Sequence, residues 1–85
     1  MEIEYSPKFA RQFKKLSKEV KESAIRCEKL FGKNPLDPKL KTHKLHGRLE
    51  NYWAFSISHN YRIIFAFMND RIVRFHAVGG HDIYK

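Results

Sequence analysis

The stretch Tyr52-Trp53-Ala54-Phe55-Ser56-Ile57-Ser58-His59-Asn60-Tyr61-Arg62-Ile63-Ile64-Phe65-Ala66-Phe67 decides the fold. Its large apolar residues recur at every second position, which is the period of a β-strand. Trp53, Phe55 and Ile57 point one way, against Tyr52, Ala54, Ser56 and Ser58. Tyr61, Ile63, Phe65 and Phe67 form a second apolar face, opposed by Arg62, Ile64, Ala66 and Met68. For two antiparallel neighbours to bury both aromatic faces together, the numbers of paired residues must sum to an even number. A two-residue loop at His59-Asn60 breaks that parity. A three-residue loop, Ser58-His59-Asn60, keeps it, and Asn60 suits the left-handed position such loops require. The stretch is therefore a β-hairpin with one aromatic side.

Downstream, Asn69-Asp70 marks a further turn, and Arg71 to Val78 is another strand that Gly79-Gly80 ends. Its expected core face is Val73, Phe75 and Ala77, with Arg74 and His76 on the other side. Upstream the period is helical. Ser6 is an N-cap with Pro7 at the first helical position, and Phe9, Phe13 and Leu16 make one apolar stripe. Ser17 caps a second helix, where Val20, Ala24, Cys27 and Phe31 continue a stripe, Glu19 suits the positive helix start, and Gly32 is the expected stop. Asn34-Pro35 and Asp37-Pro38 then mark a loop. Ile3-Glu4-Tyr5 alternates and predicts a short first strand. The predicted fold is α+β: a short N-terminal strand, a two-helix hairpin, then an antiparallel meander with the helices packed on one face.

The chain has 85 residues, enough for one domain spanning 1–85. A hydrophobic share of 42%, with seven Phe, four Tyr and one Trp, suffices for a compact core. No apolar run approaches the roughly 18–20 residues of a membrane span. The start, Met1-Glu2-Ile3-Glu4-Tyr5, lacks the basic-then-apolar pattern of a signal peptide. The lone Cys27 excludes an intramolecular disulfide framework and a cysteine-based zinc site. The location expected from these features is the cytoplasm.

The 17 Lys and Arg against 9 Asp and Glu give a net charge of +8, which attracts polyanions. Most lysines lie early, whereas Arg48, Arg62, Arg71, Arg74 and all five histidines fall between His43 and His81. Planar guanidinium groups suit phosphate held at a fixed place, so the second half is where chemistry is sought. The polar candidates are His43, Lys44, His46, Arg48, Arg62, His76, His81 and Tyr84. His43 and His46 are three apart, a ligand-like spacing on a helix, but no carboxylate or thiol accompanies them. Cys27 sits on the helical stripe and belongs to the core. No glycine-rich phosphate loop is present. No metal and no cofactor are expected.

Histidine, arginine and tyrosine without a metal suit RNA cleavage through its own 2′-hydroxyl. That reaction needs a base for the 2′-proton, a cation for the phosphorane and an acid for the leaving 5′-oxygen. Histidine serves as base or acid, each role contributing on the order of 10²–10⁴ in rate. Arginine grips two phosphate oxygens at once. A strand-interior Arg62 is costly unless it faces solvent or a ligand. Tyr84 suits stacking on an unpaired base, and equally suits anchoring the C-terminus on the sheet. His59, in the hairpin loop, is expected to be structural or exposed.

Three strings resemble the RelE/ParE toxin superfamily: Thr42-His43-Lys44-Leu45-His46-Gly47, Tyr52 to Ile57, and Asn60-Tyr61-Arg62-Ile63-Ile64-Phe65. The ending Val78-Gly79-Gly80-His81-Asp82-Ile83-Tyr84 resembles its YafQ-like branch. The likeness covers nearly the whole chain. It implies a type II toxin–antitoxin toxin that cuts mRNA on the ribosome and arrests translation. It also implies an antitoxin, acidic or with an acidic segment, that masks the active face. Catalytic roles carry over to His43, His81, Arg62 and Tyr84, and RNA contacts are expected at Lys44, His46, Arg48, Arg74 and His76. Where YafQ-like toxins carry further acid and histidine groups on the first meander strand and the next turn, this chain has Ala54, Ser56 and Asn60. The terminal aromatic also follows the histidine one residue sooner. His46 and His76 are candidates for the missing role. The superfamily also includes ParE-like inhibitors of DNA gyrase, one alternative, and a basic, catalytically inactive RNA- or antitoxin-binding domain is another. The His43–His81 pair argues against the gyrase reading.

Overall fold

Ser6 and Ser17 start the two helices as expected. In the computed structural model, which describes residues 1–84, helix α1 spans Pro7–Lys14 and α2 spans Lys18–Lys33. Lys85, included in the expected domain, lies outside the described residues. Ser6 Oγ accepts from the Phe9 N–H at 2.9 Å, and Ser17 Oγ accepts from the Val20 N–H at 3.3 Å. Gly32 does not stop the second helix. It lies within α2, and Asn34 is the C-cap, in extended conformation with φ −159° and ψ 103°. The cause is Pro35, which sterically drives its predecessor out of the helical region.

Strands β1 (Glu2–Tyr5), β2 (His43–Lys44), β3 (Trp53–Ser56), β4 (Arg62–Phe67) and β5 (Ile72–Gly79) form one sheet in the order β1-β5-β4-β3-β2. β1 runs parallel to β5, and the other pairs are antiparallel. β2 is a two-residue strand that the sequence pattern did not reveal. The β3–β4 register pairs Trp53 with Phe65, Phe55 with Ile63 and Ser56 with Arg62. The Ile57 N–H donates to the Tyr61 carbonyl at 3.1 Å, so the loop is the three residues Ser58-His59-Asn60. Parity demanded that loop.

The helices cover one sheet face, and the aromatic side chains fill the space between. Phe31, wholly buried, lies 4.9 Å from the ring centres of both Phe55 and Phe65 and 5.4 Å from Phe75. Edge-to-face and offset packing of this kind adds to the burial of each ring. Phe9, Ala24, Leu40, Ile57, Ile63, Val73 and Val78 complete this core.

Val78, not Ala77, follows Phe75 into it. The β4–β5 register shifts between Ile64 and Phe65: Ile64 pairs with Ala77 and Phe65 with Phe75, so His76 is passed over. One extra residue on β5 inverts the alternation beyond it and sends Ala77 to the opposite face. Helix α1 receives the groups the bulge releases. Ser6 Oγ donates to the His76 carbonyl at 2.7 Å, and the Val78 N–H donates to Gln12 Oε1 at 2.9 Å.

The opposite face carries a second, smaller cluster of Leu45, Ala54, Ile64 and Ala77, with Leu49, Tyr52, Ile83 and Tyr84 packed against it. Segment 45–52 and the 3-10 turn His81–Tyr84 therefore cover part of that face. No helix among the described residues is long and apolar enough to cross a membrane.

Candidate active site

The register brings four chain segments to one end of the sheet. His43 on β2 pairs with Ala54; two residues further along β3, Ser56 pairs with Arg62, which pairs with Gly79 on β5. Loop 58–60 and the turn His81–Tyr84 project from that same end. Together they enclose a concave cavity of about 370 Å³ lined by His43, His59, Asn60, Arg62, His81 and Tyr84. All four residues expected to be catalytic line it, though they are spread over 42 positions of sequence, from 43 to 84. Among the described residues, no carboxylate side chain lines it.

Each side chain is held differently. His43 is exposed, and its Nδ1 lies 3.0 Å from the Lys41 carbonyl. A carbonyl only accepts, so Nδ1 carries the proton, and in the neutral ring Nε2 is left with its lone pair free. Lys41 has φ 54° and ψ 39°, the left-handed conformation that few non-glycine residues adopt. That turn is what aims its carbonyl at the imidazole.

Arg62 is half-buried. Its Nη1 donates to the carbonyls of Ser58, His59 and Tyr61 at 3.2, 3.3 and 3.1 Å. One nitrogen has two hydrogens, so the three contacts are shared. They clamp one side of the guanidinium to the hairpin loop, and Nε and Nη2, which bond no described residue, remain to meet an anion. A fixed planar cation with two free donor positions is the geometry phosphate requires.

His81 and Tyr84 ride on the 3-10 turn, their rings edge-on with centroids 6.2 Å apart. The Ile83 N–H closes the turn on the Gly80 carbonyl at 3.2 Å. Ile83 itself packs into the second cluster, directly over Gly79, where a Cβ would overlap Ile83 Cγ2. Gly79 is thus required by close approach: it lets the turn lie flat enough to deliver His81. Tyr84 both packs on the second cluster and lines the cavity.

The other candidates lie elsewhere. Lys44, His46 and Arg48 are exposed on β2 and the adjoining turn, outside the cavity lining. His46 precedes a 3-10 turn at Gly47–Leu49, so it shares no helix face with His43. Arg74 is exposed beside Glu4 of β1 in the register. His76 stacks on Tyr52 at 4.7 Å with 29° between the ring planes. Burial chiefly, then the charges of Lys8 and Arg74, hold its imidazole below the usual histidine range. Neither His46 nor His76 is placed to supply a further base in the cavity. His59 is, and the sequence reading passed over it. No signal in the sequence marked it, because the loop's place at the cavity follows from the register of three strands. Cys27 is half-buried, its thiol 3.8 Å from the Ile57 carbonyl, and burial pushes it up from the ordinary cysteine range. Among the described residues, no three His, Cys, Asp or Glu side chains gather in a way that could hold a metal ion.

Comparison with known proteins meets this architecture at once. The crystal structure of YafQ from E. coli strain BL21(DE3) superposes with a TM-score of 0.81 at 24% identity, covering 98% of this chain and 96% of the other. The E. coli DinJ-YafQ toxin-antitoxin complex contains a chain matching at TM-score 0.78 and 24% identity, with 96% and 93% covered. A YoeB/ParE toxin from Agrobacterium tumefaciens matches at TM-score 0.80 with 13% identity, covering 95% and 99%. The fold is the one these YafQ and YoeB/ParE toxin structures share. A family model described as the bacterial toxin of type II toxin-antitoxin systems, YafQ, matches residues 1–84. The chain belongs to that family of toxins. No curated protein matches it in sequence.

Proposed function

We propose that this toxin is a ribosome-dependent mRNA endoribonuclease that stops translation, cutting the strand by attack of its own 2′-hydroxyl and needing no metal. The observation that carries the reading is the gathering of three histidines, one clamped arginine and a tyrosine around one cavity. Those groups supply a base, an acid and a fixed cation.

The hydrogen bond from His43 Nδ1 to the Lys41 carbonyl supports His43 as the base, since Nε2 is the nitrogen with a lone pair to offer. It takes the 2′-proton as the 2′-oxygen forms its bond to phosphorus. Arg62 stabilises the charge that grows on the non-bridging oxygens. Its clamp on the loop means no reorganisation is needed as that charge develops. A protonated His81 gives its proton to the 5′-oxygen as the P–O5′ bond breaks. The products are a 2′,3′-cyclic phosphate and a free 5′-hydroxyl. Tyr84, on the cavity wall, stacks on an unpaired base and holds the strand for in-line attack. The exposed Lys44 and Arg48, outside the cavity, add sequence-independent attraction for the RNA or ribosome, and the net charge of +8 reinforces it.

Acting on ribosomes, the toxin works in the cytoplasm. Its partner in storage is an antitoxin with an acidic segment that orders on binding and covers the basic face. The likeness to a YafQ chain solved with DinJ supports a partner of that kind. Ribosomes stalled on a defined mRNA, with 5′ ends mapped by primer extension, test the reading. New ends within the A-site codon that disappear with His81→Ala support it. A folded protein that makes no ends and instead inhibits DNA gyrase in a supercoiling assay overturns it.

A further inference from the structure

A second cavity, of about 320 Å³, adjoins the first, and Arg62 and His59 line both. Its other walls bring Lys39 and Lys41 together with Ser58, over a floor that includes Cys27. Among the described residues, no carboxylate side chain lines it. Neither lysine side chain has a part in the machinery described above, although the Lys41 backbone carbonyl orients His43.

The segment that presents them is firmly built. A 3-10 turn, Pro38–Leu40, begins at Asp37, whose Oδ1 accepts from the Lys39 N–H at 2.9 Å. That carboxylate is thereby engaged with backbone. Leu40 is wholly buried in the main core, and Thr42 Oγ1 donates to the Pro35 carbonyl at 2.5 Å. Lys41 sits between them in the left-handed conformation, its N–H on the Pro38 carbonyl at 3.2 Å and its own carbonyl on His43. One residue therefore serves both cavities: its backbone orients the imidazole in the first, and its side chain lines the second. Backbone strain of this sort persists where the surrounding structure enforces it, and it gathers at functional sites.

A single RNA strand presents phosphates in succession. A strand with one phosphate at Arg62 in the first cavity must lead its neighbour out past loop 58–59 or past Tyr84. The first route enters the lysine-lined cavity. We propose that this second cavity is a subsite for the backbone phosphate next to the scissile one, gripped by Lys39 and Lys41, so that Arg62 stands between two phosphates of one RNA strand. The inference rests on the nuclease reading and names a contact that reading does not need. Cations there tie down the flanking nucleotide, and the scissile phosphate is then presented in a fixed orientation.

The test is a cycle between protein charge and RNA charge, read as single-turnover cleavage on ribosomes carrying a defined mRNA. The mRNA has either its natural phosphates or one uncharged methylphosphonate, placed on the 5′ or the 3′ side of the cut. The protein is wild type or Lys39→Gln/Lys41→Asn, with asparagine chosen because it tolerates a left-handed backbone. Wild type should slow roughly tenfold on one of the two methylphosphonate mRNAs, the size of a lost charge-assisted contact. The variant should slow to the same degree on natural mRNA and lose nothing more on that methylphosphonate, because the contact is already gone. Additive losses, or a variant as fast as wild type, overturn the subsite. Lys18→Gln/Lys29→Gln, on exposed positions of α2, makes the same charge change and should leave the rate within about twofold. An equal loss there assigns the effect to the overall field and overturns the subsite as well. Absence of cleavage by wild type on natural mRNA removes the nuclease reading itself, a result separate from these.

Discussion

Replacing Arg62 by alanine separates chemistry from stability. Its three loop contacts all run through Nη1, and the Tyr61 carbonyl also accepts from the Ile57 N–H. Only the Ser58 and His59 carbonyls lose a partner, and His59 is exposed, so water replaces the guanidinium there. A net hydrogen bond of this kind is worth about 1 kcal/mol, and the apolar neighbours Ile63 and Phe55 stay buried. For a chain of this size that corresponds to a fall of about 4–8 °C in Tm. The fall leaves Arg62→Ala folded at working temperature, because domains of this kind retain about 5–15 kcal/mol. Cleavage should suffer far more. A preorganised group aimed at developing charge contributes on the order of 10²–10³ in rate. Lys keeps the charge but not the planar fork, so Arg62→Lys should recover only part of it. Melting curves give the first quantity, and single-turnover cleavage on programmed ribosomes gives the second. Toxin pelleted with ribosomes reports binding. A folded Arg62→Ala protein that cuts within about threefold of wild type refutes the role given to the guanidinium.

Three further outcomes follow from the packing and the charges. Phe31→Ala empties the place where four phenylalanine rings meet and should cost about 3–5 kcal/mol by denaturant titration; a loss under about 1 kcal/mol contradicts the core described here. Gly79→Ala pushes Ile83 off the second cluster and shifts the turn bearing His81, so cleavage should fall at least tenfold, on the order expected for misplaced catalytic groups, while the circular dichroism spectrum is unchanged. Retained activity would show that the turn is not held by that contact. His76 is held below the usual histidine range in the folded state, so the unfolded chain binds more protons on acidification. Stability should be fully present above the unfolded value near pH 6.5 and fall as the pH drops below it; His76→Phe, which keeps a ring on Tyr52, should flatten that part of the profile. An unchanged slope would place the titration elsewhere.

How much was legible in the sequence depended on the range of the interaction. Ser6, Ser17 and the even parity of the hairpin are local rules, and the structure follows each of them. Gly32 misled because glycine is also tolerated inside a helix; the stronger steric constraint came three residues later, from Pro35. Ala77 misled because alternation assumes an unbroken ladder. The bulge at His76 is stabilised by Ser6 and Gln12, 70 and 66 positions from His76 and Val78, the residues they bond, and nothing in residues 72–79 announces it. His43, Arg62, His81 and Tyr84 were singled out by chemistry and by resemblance, and the register then placed them around one cavity. His59 was overlooked because a loop histidine looks the same whether its strand ends face water or converge. The second cavity depends on Lys41 in a left-handed turn, and a lysine's backbone conformation is not written in its neighbours.

The central claim is that this pocket cuts RNA through the strand's own 2′-hydroxyl. It is tested most directly by placing a single 2′-deoxynucleotide at the cleaved position of an mRNA held on the ribosome. Cleavage there should vanish, while the all-ribose mRNA should yield a 5′ fragment ending in a 2′,3′-cyclic phosphate. A deoxy-substituted strand cut at an undiminished rate would contradict the account.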